Sequence, residues 1–118
     1  MTVVKELDLV VAGHICLDLA PKFAPEHSFD EVFVPGKLSE IGIAHFSTGG
    51  VVANTGLAGE RFGLKTALMA KVGDDYFGAV IKGLLNKEHR NIALCQEAGL
   101  STSYTLALNL PGEDRVFL

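Results

Sequence analysis

Ser47-Thr48-Gly49-Gly50-Val51-Val52-Ala53-Asn54-Thr55-Gly56 is the stretch whose residue types and spacing best suit ligand chemistry. Two adjacent glycines stand where a helix is expected to begin, and Asn54 follows one turn in. Glycine there lets a ligand come close to the backbone, because no Cβ stands in the way. The N–H groups of a first helical turn lack intrahelical acceptors and face such a ligand as donors. The Asn54 side-chain amide both donates and accepts. A polyhydroxyl ligand fits that set of groups. The sequence has no Gly-x-x-x-x-Gly-Lys-Ser/Thr pattern, and Gly49-Gly50 is not part of Gly-x-Gly-x-x-Gly, so the two common phosphate loops are excluded. A tight turn that merely opens a helix explains the glycines equally well.

Asp18 is the second candidate. Leu7-Asp8-Leu9-Val10-Val11-Ala12-Gly13 is a short apolar run ended by glycine, as in a strand buried on both faces of a parallel sheet. Asp18 is expected just past the C-terminal end of that strand, where open α/β sheets place their ligands. A carboxylate there accepts hydrogen bonds from two neighbouring hydroxyls, and such charge-assisted bonds are strong. A loop aspartate bonding its own backbone is the competing reading. Cys16 and Cys95 form no Cys-x-x-Cys pair, which points to reduced thiols in packing or incidental positions. His14, His27, His45 and His89 lack metal-ligand spacing, so no metal site is expected.

The positioning elements follow from size and pattern. At 118 residues the chain is one domain at most, and a chain this long can bury a modest core. It is 48% hydrophobic and 20% charged, a globular balance. The net charge of −4 leaves no basic footprint for nucleic acid. The N-terminus mixes Lys5, Glu6 and Asp8 with apolar residues and does not resemble a signal peptide, which makes a cytoplasmic location the default expectation. No apolar run reaches membrane-spanning length.

Ala20 to Pro25 reads as loop. Phe29 to Ser47, with Pro35-Gly36, reads as short antiparallel strands forming a lid-like insertion. Gly50 to Phe62 reads as a helix with Ala53, Leu57, Ala58 and Phe62 on its apolar face and Gly63 as its stop. Lys65–Gly73 is a buried strand. Asp74 is expected as N-cap of the next helix, with Asp75 in its first turn. Phe77, Val80, Ile81, Leu84 and Leu85 give that helix the i, i+3, i+4, i+7, i+8 pattern, with Lys87, His89 and Arg90 near its end. Asn91–Leu94 and Thr102–Leu110 are further strands, and Pro111-Gly112-Glu113-Asp114 turns the last into a hairpin with Arg115–Leu118. Buried strands alternating with helices argue an α/β layered domain with a mainly parallel sheet. Because the pattern stops inside a strand, the sequence reads as the front part of a longer protein.

Several segments together resemble the ribokinase/PfkB family of carbohydrate and nucleoside kinases, over nearly the whole chain and in the right order. The carriers are Val10-Val11-Ala12-Gly13 leading to Asp18, Pro35-Gly36-Lys37, Thr48-Gly49-Gly50-Val51-Val52-Ala53-Asn54, Gly63-Leu64, Val72-Gly73-Asp74-Asp75-Tyr76-Phe77-Gly78, Thr102-Ser103, and Pro111-Gly112-Glu113-Asp114-Arg115. The resemblance implies a ribokinase-like α/β domain with a small β lid. Residues 1–118 would be its N-terminal portion, with 29–47 and 102–118 contributing lid or hairpin strands.

It also implies a sugar site at Asp18, Gly49, Gly50 and Asn54. Val51 stands where some members carry lysine or another polar residue, which turns the reading away from ribose itself. The implied chemistry is transfer of the ATP γ-phosphoryl group to a sugar hydroxyl with Mg²⁺ present. The catalytic aspartate and the glycine-rich anion hole of the family sit in a Gly-Ala-Gly-Asp type signature that this sequence does not contain. The segment alone is therefore expected to be inactive. The implied partners are a small sugar or nucleoside, and a second copy through the lid, with Phe33, Ile41, Ile43 and Phe46 as apolar contacts. The alternatives are a nucleoside kinase of the same family and a non-catalytic sugar-binding or oligomerisation module.

Overall fold

The near-continuous apolar run at the N-terminus forms β1 (Leu9–Gly13), and the run after Lys65 forms β4 (Thr66–Gly73). The computed structural model describes residues 6–88 and 91–118; Lys5, His89 and Arg90 lie outside the described residues. Between these strands come β2 (Cys16–Pro21), the helical turn α1 (Phe29–Val32), β3 (Ala44–Gly49) and α2 (Gly50–Arg61). After β4 follow α3 (Tyr76–Glu88), β5 (Ile92–Glu97), β6 (Tyr104–Leu108) and β7 (Val116–Phe117). No helix of the described residues is long and apolar enough to cross a membrane.

The chain divides into two units. The first comprises the described residues of Met1–Leu17 together with Ser47–Tyr104. Its sheet is parallel, in the order β1-β4-β5, with Leu9 opposite Thr66, Gly13 opposite Ala70, Leu68 opposite Ile92 and Gly73 opposite Glu97. Side chains alternate across a strand. Thr66, Leu68 and Val72 are accordingly buried, and α2 and α3 both pack against this sheet. Leu17, Leu68, Ile81, Leu85 and Val52 are fully buried. Each such side chain contributes roughly 1.5–3 kcal/mol of transfer free energy. On the other face Val10 and Met69 are about half exposed.

The buried face of α2 is Val52, Ala53, Gly56 and Gly59. A Cβ on Gly56 would stand 2.1 Å from Leu68 Cδ2, and one on Gly59 2.7 Å from Leu9 Cδ2. The helix thus meets the sheet through small residues. This corrects the expected apolar face, because Phe62 is 84% exposed. Phe62 is the C-cap, and there the chain turns away. The Gly63 N–H donates to Glu60 O and the Leu64 N–H to Gly59 O, while Gly63 takes φ +79°. That pair of bonds is the Schellman ending, which a left-handed glycine favours.

The second unit comprises Asp18–Phe46 and Thr105–Leu118. The division falls within β2, β3 and β6, which with β7 form a sheet in the order β3-β2-β6-β7. β6 and β7 are antiparallel, pairing Ala107 with Phe117 and Leu108 with Val116, as the Pro111–Asp114 turn requires. Phe23, Leu108 and Leu110 form a small core with Val32 packed on it.

Two local expectations change here. Ala20 and Pro21 end a strand instead of starting a loop. Phe29–Val32 is a helical turn, and no strand is formed among residues 33–43. Asp30 and Glu31 suit a first helical turn, and Phe29 and Phe33 stack at i, i+4 with ring centroids 4.6 Å apart. Gly42 and Ile43 still exchange backbone hydrogen bonds with Lys22.

Candidate functional site

Gly49 is the N-cap of α2, with an extended backbone, and Gly50 follows at φ +84°. A Cβ on Gly50 would lie 2.7 Å from His14 O and 3.1 Å from Ile15 Cα. The His14 carbonyl also accepts a hydrogen bond from the Val52 N–H at 3.1 Å. One of the first-turn donors is therefore used by the turn after β1 and does not await a ligand. Gly50 is needed for this close packing as well as for its left-handed φ. The tight-turn reading thus accounts for Gly50. Gly49 is buried, Gly50 half-buried, and Asn54 exposed one turn further along. Gly50 and Asn54 lie four residues apart and so share a helix face.

Asp18 is the first residue of the second unit and sits inside β2, not in a loop beyond β1. Leu17 before it is fully buried and Asp18 is half-buried. The Leu17 N–H donates to Ser103 O at 3.0 Å. The structure brings Gly49, Gly50 and Asn54 together on one helix start, while Asp18 belongs to the other unit.

An open cleft of about 620 Å³ runs beside Gly13, Met69, Lys71, Leu94 and Cys95. It follows the sheet face that carries Met69 and Lys71, and neither Gly49, Gly50 nor Asn54 lines it. Size alone does not mark the candidate site. The Lys71–Glu97 ion pair on that face is exposed; the Glu97 carboxylate raises the Lys71 pKa, but solvent screens the pair.

A polar junction that the sequence reading missed lies at the start of α3. Asp75 Oδ1 accepts from the Gly78 N–H at 2.8 Å and from the Thr102 hydroxyl at 2.6 Å. Asp75 Oδ2 accepts from the Thr102 N–H at 2.8 Å. The Thr102 hydroxyl in turn accepts from the Gly73 N–H at 2.9 Å. The capping residue is thus Asp75 and not Asp74, which is exposed. The Thr102 hydroxyl first, then the Thr102 and Gly78 N–H groups, hold the Asp75 carboxyl below the usual aspartate range. A Cβ on Gly73 would stand 2.1 Å from Leu100 O, and one on Gly78 2.4 Å from Gly73 O. Both glycines of Val72-Gly73-Asp74-Asp75-Tyr76-Phe77-Gly78 are thereby explained by close backbone packing. Thr102 is only 4% exposed, and nothing in the sequence around Asp75 signals this distant partner.

A sequence profile described as pfkB family carbohydrate kinase matches residues 7–118. Among solved structures, a fructokinase from Halothermothrix orenii is 25% identical, with a TM-score of 0.66 over 95% of this chain and 37% of its own. A ribokinase from Giardia lamblia is 16% identical, with a TM-score of 0.70 over 95% of this chain and 33% of its own. A PfkB protein from Polaromonas sp. JS666 is 19% identical, with a TM-score of 0.69 over 95% and 34% respectively. The chain therefore spans about a third of the length of these structures. A search of curated proteins gives no match.

Proposed function

The chain belongs to the pfkB family of carbohydrate kinases, and on that footing we propose that it is the sugar-holding part of an ATP-dependent sugar kinase. The carrying observation is the α2 start, where Gly49, Gly50 and Asn54 stand together in a chain whose family acts on carbohydrates. In this reading Asn54 and Asp18 hydrogen-bond substrate hydroxyls, and Gly49-Gly50 lets the sugar ring approach the backbone. Val51, 53% exposed beside the glycines, gives the sugar an apolar neighbour.

ATP supplies the phosphoryl group in this family, with Mg²⁺ offsetting its charge. Among the described residues no group of three or more His, Cys, Asp or Glu could hold a metal ion. The part proposed for this chain is to bind and orient the sugar. Alone it is proposed to be inactive, since no residue of it matches the family's catalytic aspartate. A second reading, a non-catalytic sugar-binding module, predicts the same binding without turnover.

Isothermal titration of D-fructose, D-ribose and adenosine into the 118-residue chain tests the site. One sugar should bind without ATP, and Asp18→Ala should weaken it by roughly 1.5–3 kcal/mol for each charge-assisted bond lost. Preference for adenosine would move the reading to a nucleoside kinase. Unchanged affinity in Asp18→Ala would sink it, and steady sugar-dependent ADP release by the chain alone would overturn the proposed inactivity.

Pairing of two copies through the second unit is part of the same proposal. β3 is an edge strand, and Phe33, Ile41, Ile43 and Phe46 are all exposed. Exposed edges readily pair with another strand. Light scattering should give a dimer that Ile43→Lys dissociates; a monomeric wild type would end that part.

A further inference from the structure

We propose that Asp75 and Thr102 are positioning residues for Asp18. The inference rests on the sugar-holding reading above. Asp75 takes the Thr102 N–H on one oxygen and the Thr102 hydroxyl on the other. Thr102 is thus fixed through both its backbone and its side chain, and the Gly73 N–H seals its hydroxyl from the opposite side at 2.9 Å. The next residue, Ser103, presents its carbonyl to the Leu17 N–H at 3.0 Å. The residue after Leu17 is Asp18. From the carboxylate of Asp75 to the backbone of Asp18 there is an unbroken line of hydrogen bonds and peptide bonds, with no long side chain in it.

The chemistry of the junction supports such a role. A carboxylate that only caps a helix needs one oxygen for the N–H three residues on. Asp75 meets that need with Oδ1 and commits Oδ2 to a residue 27 positions away, two before the start of β6. Thr102 is 4% exposed and Leu17 is fully buried, so each joint has one buried partner, with Asp75 half-buried and Ser103 exposed on the other side. Satisfied polar networks rigidify what they join. A substrate-binding carboxylate must be held within about 0.5 Å of its productive position. The turn after β4 supplies that hold.

The test uses the whole chain with Thr102→Val, which keeps shape and backbone N–H but removes the hydroxyl, and Thr102→Ser, which restores the hydroxyl. Amide hydrogen exchange reads the Leu17 N–H directly, and titration reads the tightest binder among D-fructose, D-ribose and adenosine. In Thr102→Val, Leu17 exchange should rise about tenfold and affinity fall by a similar factor, each reflecting roughly one hydrogen bond. Amides inside α2 should keep their rates. Thr102→Ser should return both readouts close to wild type. The proposal is overturned if Leu17 exchange is unchanged, if it rises together with the α2 amides, if Ser does not restore it, or if affinity stays put while Asp18→Ala still weakens binding. Should Asp18→Ala have no effect, the sugar-holding reading itself fails and takes the role assigned to Asp75 with it; the exchange data then show separately whether the junction holds Leu17.

Discussion

Asp75 and Thr102 are joined twice, by hydroxyl to Oδ1 at 2.6 Å and by N–H to Oδ2 at 2.8 Å. A carboxylate gripped in this way gives up its proton more readily than it does in the unfolded chain. The unfolded aspartate titrates near about 3.9. The folded form of Asp75 titrates lower, so its contribution to stability is complete above the unfolded value and is lost as pH falls through the folded one. Wild type and Asp75→Asn should therefore differ in urea midpoint at neutral pH and converge as acid protonates Asp75. A gap that stays constant down to the lowest pH would contradict the arrangement.

Gly50 and Gly63 both take a left-handed backbone, yet their surroundings differ. Gly63 has open space where a Cβ would go, whereas Gly50 faces His14 O at 2.7 Å. Gly63→Ala should cost about 1–2 kcal/mol, the conformational penalty alone. Gly50→Ala adds a backbone clash and should cost more, with strain of up to about 3 kcal/mol or beyond. Equal midpoints in denaturant melts would show that the contact with His14 is absent in solution.

Gly56 and Leu68 interlock across the helix–sheet seam. Gly56→Ala alone overpacks the seam and should cost roughly 1–3 kcal/mol. Leu68→Ala alone leaves a cavity and should cost roughly 2–5 kcal/mol. The double variant should recover part of the sum, since the new methyl enters the vacated space; a coupling of about 0.5–3 kcal/mol is the expected range for touching residues. Strict additivity in chemical denaturation would place the two residues apart.

The two thiols should separate cleanly by reactivity. Cys95 is exposed and Cys16 is buried. A thiol reagent should label one cysteine quickly in the native chain and the second only after denaturant is added, with peptide mapping placing the fast label at Cys95. Fast labelling at Cys16 would show that β2 opens.

Much of the fold was legible because its signals are local. The apolar period of α3, the buried run of β4 and the turn at Pro111–Asp114 each lie within one stretch of sequence. The extent of α2 was legible too, but not its packed face. Gly56 and Gly59 carry no apolar side chain to register in a hydrophobic pattern, although they are the surface that meets the sheet. Asp18 was expected just past the end of β1, with a loop aspartate as the competing reading; it lies in β2, a strand that owes its existence to its neighbours in the sheet. The segment after Ser28 misled in the opposite sense, since its phenylalanines and valines favour strands but pair here at helical spacing. Asp74 and Asp75 cannot be told apart as caps from their own surroundings. Only Thr102, far along the chain, makes the distinction.

The register of the first sheet also sets an order of events. Leu9 pairs with Thr66, whereas Leu68 pairs with Ile92 through the short α3 crossover. Closing the longer loop costs about 0.8 kcal/mol more in chain entropy, and non-local pairing slows folding. Of these three strands β1 is thus the last to find its partner, and until then its apolar residues travel unescorted. Pulse-labelled exchange should show amides of β4 and β5 protected before those of β1; simultaneous protection would mean that the whole sheet condenses in one step.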